Sequence, residues 1–76
     1  MKLSDLKIGD EGMIENVCVD ENIKTRLLDI GFIPGTEIEC FFKSPLKDPV
    51  AYFIRGTLIA LRNKNAENIL IEVGNE

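Results

Sequence analysis

Histidine and tryptophan are absent from these 76 residues, and cysteine occurs only at Cys18 and Cys40. Without histidine the usual general base near neutral pH is missing. With no C-x-x-C and no H-E-x-x-H, neither a structural zinc set of four nor a catalytic set of three can be assembled from Cys and His. What remains for a metal is two thiolates with carboxylates, a set suited only to a soft divalent ion. The phosphate-cradling and nucleophile motifs G-x-x-x-x-G-K-[ST], G-x-G-x-x-G and G-x-S-x-G are also missing. Thirteen acidic residues guarantee that some pair will be close, so such a pair carries no information, and they read as a solvated surface. These absences point away from an enzyme.

No apolar run reaches the ~18 residues of a membrane helix. The N-terminal MKLSDLKIGDEG has no apolar core of the kind a secretory leader needs. The expectation is a soluble chain that stays in the compartment where it is made. An excess of positive charge is lacking too: nine Lys and Arg are interleaved with thirteen Asp and Glu, for a net charge of −4. Nucleic-acid affinity rests on neutralised phosphates, so nucleic acid is not expected as a partner. A local basic stripe would need Lys43, Arg55 and Arg62 on neighbouring strands. The two cysteines fall within predicted strands and read as small buried hydrophobes, although their number alone would allow a disulfide.

What is present is a folded domain: 45% apolar and 29% charged, with the apolar residues spread evenly. A chain this short is one domain, residues 1–76, that buries only about 60% of its unfolded surface. In LSDLKIGD, Leu3, Leu6 and Ile8 are spaced to face inward around a turn closed by Gly9 and Asp10. GMIENVCVD has β-branched residues at a period near two and reads as a strand. Ile14 and Val17 fall on opposite faces of that count, which predicts a bulge.

Asp20 is placed to cap a helix, and the neighbouring Glu21 suits the positive end of its dipole. Ile23, Leu27 and Ile30 then recur at helical spacing with Leu28 beside them, giving about two to three amphipathic turns. Gly31 is the expected left-handed stop, with Phe32 folding back on Leu27. Ile33-Pro34-Gly35-Thr36 has the signature of a type II turn. TEIECFFK and VAYFIR read as strands joined by SPLKDP, a loop stiffened by Pro45 and Pro49, in which Asp48 can accept local backbone N–H groups. Arg55-Gly56 marks a tight turn, TLIALR a fourth strand, Asn63 to Asn68 a helical turn, and ILIEV a fifth strand. The fold class is therefore mainly β: a small SH3-like, partly open barrel of about five strands with one short inserted helix.

RLLDIGFIPGTEIE, SPLKDPVAYFIRG and ALRNKNAENI, in that order, resemble the FeoA family of bacterial ferrous iron uptake over nearly the whole chain. The chain departs from the usual pattern at Thr25, where a second basic residue is common, and at Lys47, where a small residue is frequent. The resemblance implies a cytoplasmic, non-enzymatic accessory protein that docks on FeoB, a membrane transporter with a cytosolic GTP-binding domain. It would reach the inner membrane through that partner, with no insertion of its own. Association with iron or another transition metal is likewise implied by the resemblance alone, and no cofactor is evident in the residues. Two other readings are a transition-metal sensor or carrier, and a detached SH3-like domain of a DtxR-type repressor system. The sequence is silent on oligomeric state.

For a contact surface, Ile38, Cys40 and Phe42 suit the core, which leaves Phe41 on the charged face of its strand. Adjacent Tyr52 and Phe53 cannot both point inward, so an outer aromatic pair is expected near the loop. The candidate partner-binding residues are Phe41, Leu46, Asp48, Pro49 and Tyr52. Leu27, Gly31, Pro34, Gly35, Arg55 and Gly56 are assigned to the frame.

Overall fold

The computed structural model describes residues 1–73 of the chain. After a 3-10 turn at Leu3–Asp5 come β1 (Glu11–Val17), α1 (Glu21–Ile30), β2 (Glu37–Lys43), β3 (Val50–Ile54), β4 (Thr57–Leu61), the single-turn α2 (Asn63–Ala66) and β5 (Ile69–Glu72). The strands form one antiparallel sheet in the order β4-β3-β2-β1-β5. β4 and β5 therefore remain as two edges, and the barrel is open between them. Alternate residues of each strand turn to a single core. Ile38 and Cys40 of β2 meet Ile54 and Tyr52 of β3, while Ile14 and Val17 of β1 meet Ile71 and Ile69 of β5. Leu3 and Leu6 close the core from the N-terminal side, and α1 adds Leu27 and the half-buried Ile23.

The bulge foreseen in β1 is present. The register against β5 shifts between Ile14 and Asn16, and this lets Ile14 and Val17, an odd number of positions apart, both point inward. Asp20 caps α1, its Oδ1 accepting the Ile23 N–H at 3.2 Å. At the other end the Phe32 N–H donates to Leu27 C=O at 2.9 Å and the Gly31 N–H to Leu28 C=O at 3.1 Å, the paired bonds of a Schellman stop. Gly31 takes φ +129° there. The Thr36 N–H donates to Ile33 C=O at 3.0 Å, and Gly35 has φ +94°, so Pro34-Gly35 makes the expected type II turn.

Several inward assignments change. Ile8 and Ile30 are exposed, because the core is already closed by Leu3, Leu6 and Leu27. Phe42 is also exposed. A second bulge, between Cys40 and Phe42 against β3, resets the alternation so that Phe42 lies opposite outward-facing Ala51. Cys18 lies just beyond β1 and is exposed, whereas Cys40 is buried; both are free thiols. Tyr52, at 1% exposure, belongs to the core with Val50 and Ile54 on the same side of β3, which removes it from the candidate contact surface. No helix among the described residues is long and apolar enough to cross a membrane.

Candidate protein-docking face

The outer face of β2, β3 and β4 carries an apolar surface that the register of the strands builds row by row. Leu58 of β4 lies opposite Phe53 of β3, and Phe53 lies opposite Glu39 of β2. In the next row Ala60 faces Ala51, and Ala51 faces Phe42. Phe41 is the extra residue of the bulge and stands between these rows. Its ring centroid lies 6.5 Å from that of Phe53, with the planes tilted by 37°. The bulge is what puts two consecutive phenylalanines on one face, which a regular strand forbids. Phe41, Phe42, Phe53 and Leu58 are 52%, 55%, 40% and 51% exposed. These four large apolar side chains are gathered on one face of the sheet, which makes that face the candidate contact surface.

Beside Phe53 the face turns acidic. An open groove of about 440 Å³ is lined by Glu11, Glu37, Glu39, Phe53 and Arg55, among others. Glu11 lies opposite Glu39, and Met13 opposite Glu37, so these carboxylates stand on the same outer side as the phenylalanines. An aromatic patch with a carboxylate border suits a partner that brings an apolar anchor flanked by a cation.

Only part of the surface expected from sequence is assembled. Phe41 is on the face. Leu46 stands out at the tip of the β2–β3 loop, 88% exposed, and Pro49 is half-buried. Asp48 holds the loop to α2 and so acts at long range, where local backbone bonds were expected. Its Oδ1 accepts the Asn63 N–H at 3.0 Å, its own N–H donates to Ser44 Oγ at 3.0 Å, and Asn63 Nδ2 donates to Lys47 C=O at 2.6 Å. The Asp48–Arg62 ion pair, 3.9 Å and exposed, adds little. The outer partner of Phe41 is Phe53, in place of Tyr52. The β-branched Val50 and Ile54, each two positions from Tyr52, were the signal that Tyr52 shares their inner side. Phe42 and Leu58 are further members that alternation alone did not give.

The end of α1 meets the β3–β4 turn at Gly31. A Cβ on Gly31 would lie 2.9 Å from Arg55 Cδ, so the arginine stem lies across the bare end of α1. Arg55 and Gly56, at φ +53° and +80°, form the two-residue turn from β3 to β4. The last turn of α1 has no basic residue of its own, and Arg55 brings a cation to that negative dipole end. Lys43 and Arg62 lie toward the opposite end of β3, since Lys43 and Leu61 both face Val50, so the three cations form no stripe. Burial pushes the Cys40 thiol up from its ordinary range; Lys43 opposes this, and Asp10 and Glu39 add to it. Among the described residues no three His, Cys, Asp or Glu converge as a metal set, and one of the two thiols is exposed while the other is sealed in the core. Among the described residues no donor set fits a resident metal.

A family model described as the FeoA domain matches residues 1–73. The Fe(2+) transport protein A/Fe(2+) transporter FeoB fusion protein of Porphyromonas gingivalis is 36% identical over 73 residues, which are 96% of this chain and 9% of that protein. The chain thus spans under a tenth of this relative. Among solved structures, the FeoA protein of Chlorobium tepidum superposes with a TM-score of 0.94 at 33% identity, covering 100% of this chain and 74% of that one. The FeoA of Stenotrophomonas maltophilia, a prokaryotic SH3 domain protein complexed with zinc, gives a TM-score of 0.82 at 29% identity over 95% of this chain and 89% of its own. A manganese-dependent transcriptional repressor shares the fold alone: TM-score 0.86 at 15% identity, over 96% of this chain and 41% of that one.

Proposed function

Because the chain belongs to the FeoA family, we propose that it is a non-enzymatic accessory protein of ferrous iron uptake that docks on the cytosolic part of an FeoB-type transporter. The observation that carries this reading is the bulge-built aromatic face of Phe41, Phe42, Phe53 and Leu58. A relative in which FeoA and FeoB are one polypeptide supports the choice of partner. Tethering supplies such a module with an effective concentration near its partner, and a module without a tether needs a surface with affinity of its own. Aromatic anchors on a fixed sheet provide it at small entropic cost, since the strands are already ordered. On this reading the protein works in the cytoplasm and reaches the inner membrane only through its partner. Iron is the transporter's cargo, and no cofactor of its own is required.

The test is calorimetric titration of the purified chain against the soluble cytosolic GTP-binding domain of the cognate transporter. Phe41→Ser and Phe53→Ser should each weaken binding by about thirtyfold, the loss of a hot spot worth about 2 kcal/mol. Both positions are exposed, so the variants should keep the wild-type fold. Unchanged affinity in folded variants would remove the face from the interface.

A further inference from the structure

We infer that β4 pairs with β4 of a second copy of this chain, antiparallel about a two-fold axis at Ile59. The two edges of the sheet are treated very differently. β5 is covered on its outer side: Lys2 bridges to Leu70, and the Ile71 N–H donates to Met1 C=O at 2.8 Å. Among the described residues β4 has β3 as its only neighbour in the sheet. In a two-residue hairpin the residues flanking the turn exchange bonds, so Thr57, Ile59 and Leu61 are bonded to Ile54, Tyr52 and Val50. Leu58 and Ala60 then aim their N–H and C=O groups away from the sheet, and no partner for them is found among the described residues. Natural edges are blunted by lysine, proline, bulges or a covering segment. TLIAL has no charge and no proline, and its register against β3 runs without a shift.

The strand is self-complementary. With Ile59 opposite Ile59 of the second copy, Leu58 falls opposite Ala60 and Ala60 opposite Leu58. Every outward N–H and C=O of these two residues then finds a mate. The cations flanking the strand also avoid each other in this register, because Arg62 falls opposite Gly56 and Arg55 opposite Asn63. A chain of net charge −4 thus presents to its own copy an edge that carries no charge at all. On the outer face Leu58 and Ala60 would meet their symmetry mates and join the two aromatic surfaces into one.

Analytical ultracentrifugation from about 10 μM to about 1 mM tests this. The wild type should show a concentration-dependent dimer, and Ala60→Pro should weaken it by about tenfold or more, because proline removes a donor aimed at the mate. The substitution spares every bond to β3, and edge positions of this kind tolerate proline. Phe41→Ser should leave the dimer intact. On concentrating the wild type, the Leu58 and Ala60 amides should become protected from hydrogen exchange, a readout independent of any variant. A chain that stays monomeric throughout overturns the inference and leaves the edge to an extended segment of another protein. A dimer that survives Ala60→Pro, or one dissolved by Phe41→Ser, overturns it in favour of another face.

Discussion

Asp48 and Asn63 are fifteen positions apart, yet the Asp48 carboxylate supplies the cap that α2 lacks from its own Arg62. Asp48→Ala should lower the unfolding free energy by about 1 kcal/mol, the usual value of a helix cap, whereas Asp48→Asn should retain most of it; urea denaturation distinguishes them. Cys40 makes a different claim. Its thiol is raised above the ordinary value of 9.0 by burial, so the native state holds this proton more tightly than the unfolded chain does. The resulting stability is complete below the unfolded value and is lost as pH rises past about 9. Tyr52 is shifted the same way, by burial first and by the neighbouring Cys40 second. The melting temperature should therefore fall on the alkaline side, and Cys40→Val should remove the earlier part of that fall.

At the scale of the element, the two bulges explain what could be read from the chain and what could not. In β1 the apolar residues Ile14 and Val17 break period two, so the irregularity was legible. In β2 the sequence Ile38, Cys40, Phe42 keeps period two without interruption, and the extra residue Phe41 hides within it. Counting through such a bulge reverses every assignment beyond it, which is why Phe42 was expected inside. The cap, the glycine stop and the proline turn were legible because each depends on local backbone geometry. The Asp48–Asn63 tie depends on a fold-back across β3 and β4 and left no local mark. Phe42→Thr provides the check. An outward Phe42 predicts a stability loss under about 0.5 kcal/mol, while burial in the core would predict about 3–5 kcal/mol; guanidinium denaturation separates these values.

For the molecule as a whole, the open sheet offers two separate surfaces, the outer face of β2–β3–β4 and the free edge of β4, which meet at Leu58. The family resemblance was readable from ordered motifs, but the candidate contact surface was only partly so, because it is made by the register between β2, β3 and β4. Ala60→Pro and Phe41→Ser act on one surface each, so partner binding and self-pairing can fail independently. The covering of β5 by Met1 and Lys2 brings Met1 alongside β5, at the margin of the strand order opposite β4. A tag, linker or neighbouring module attached near either place would leave from that margin. It would trail behind the domain like a handle, on the margin away from the outer face of β3 and β4.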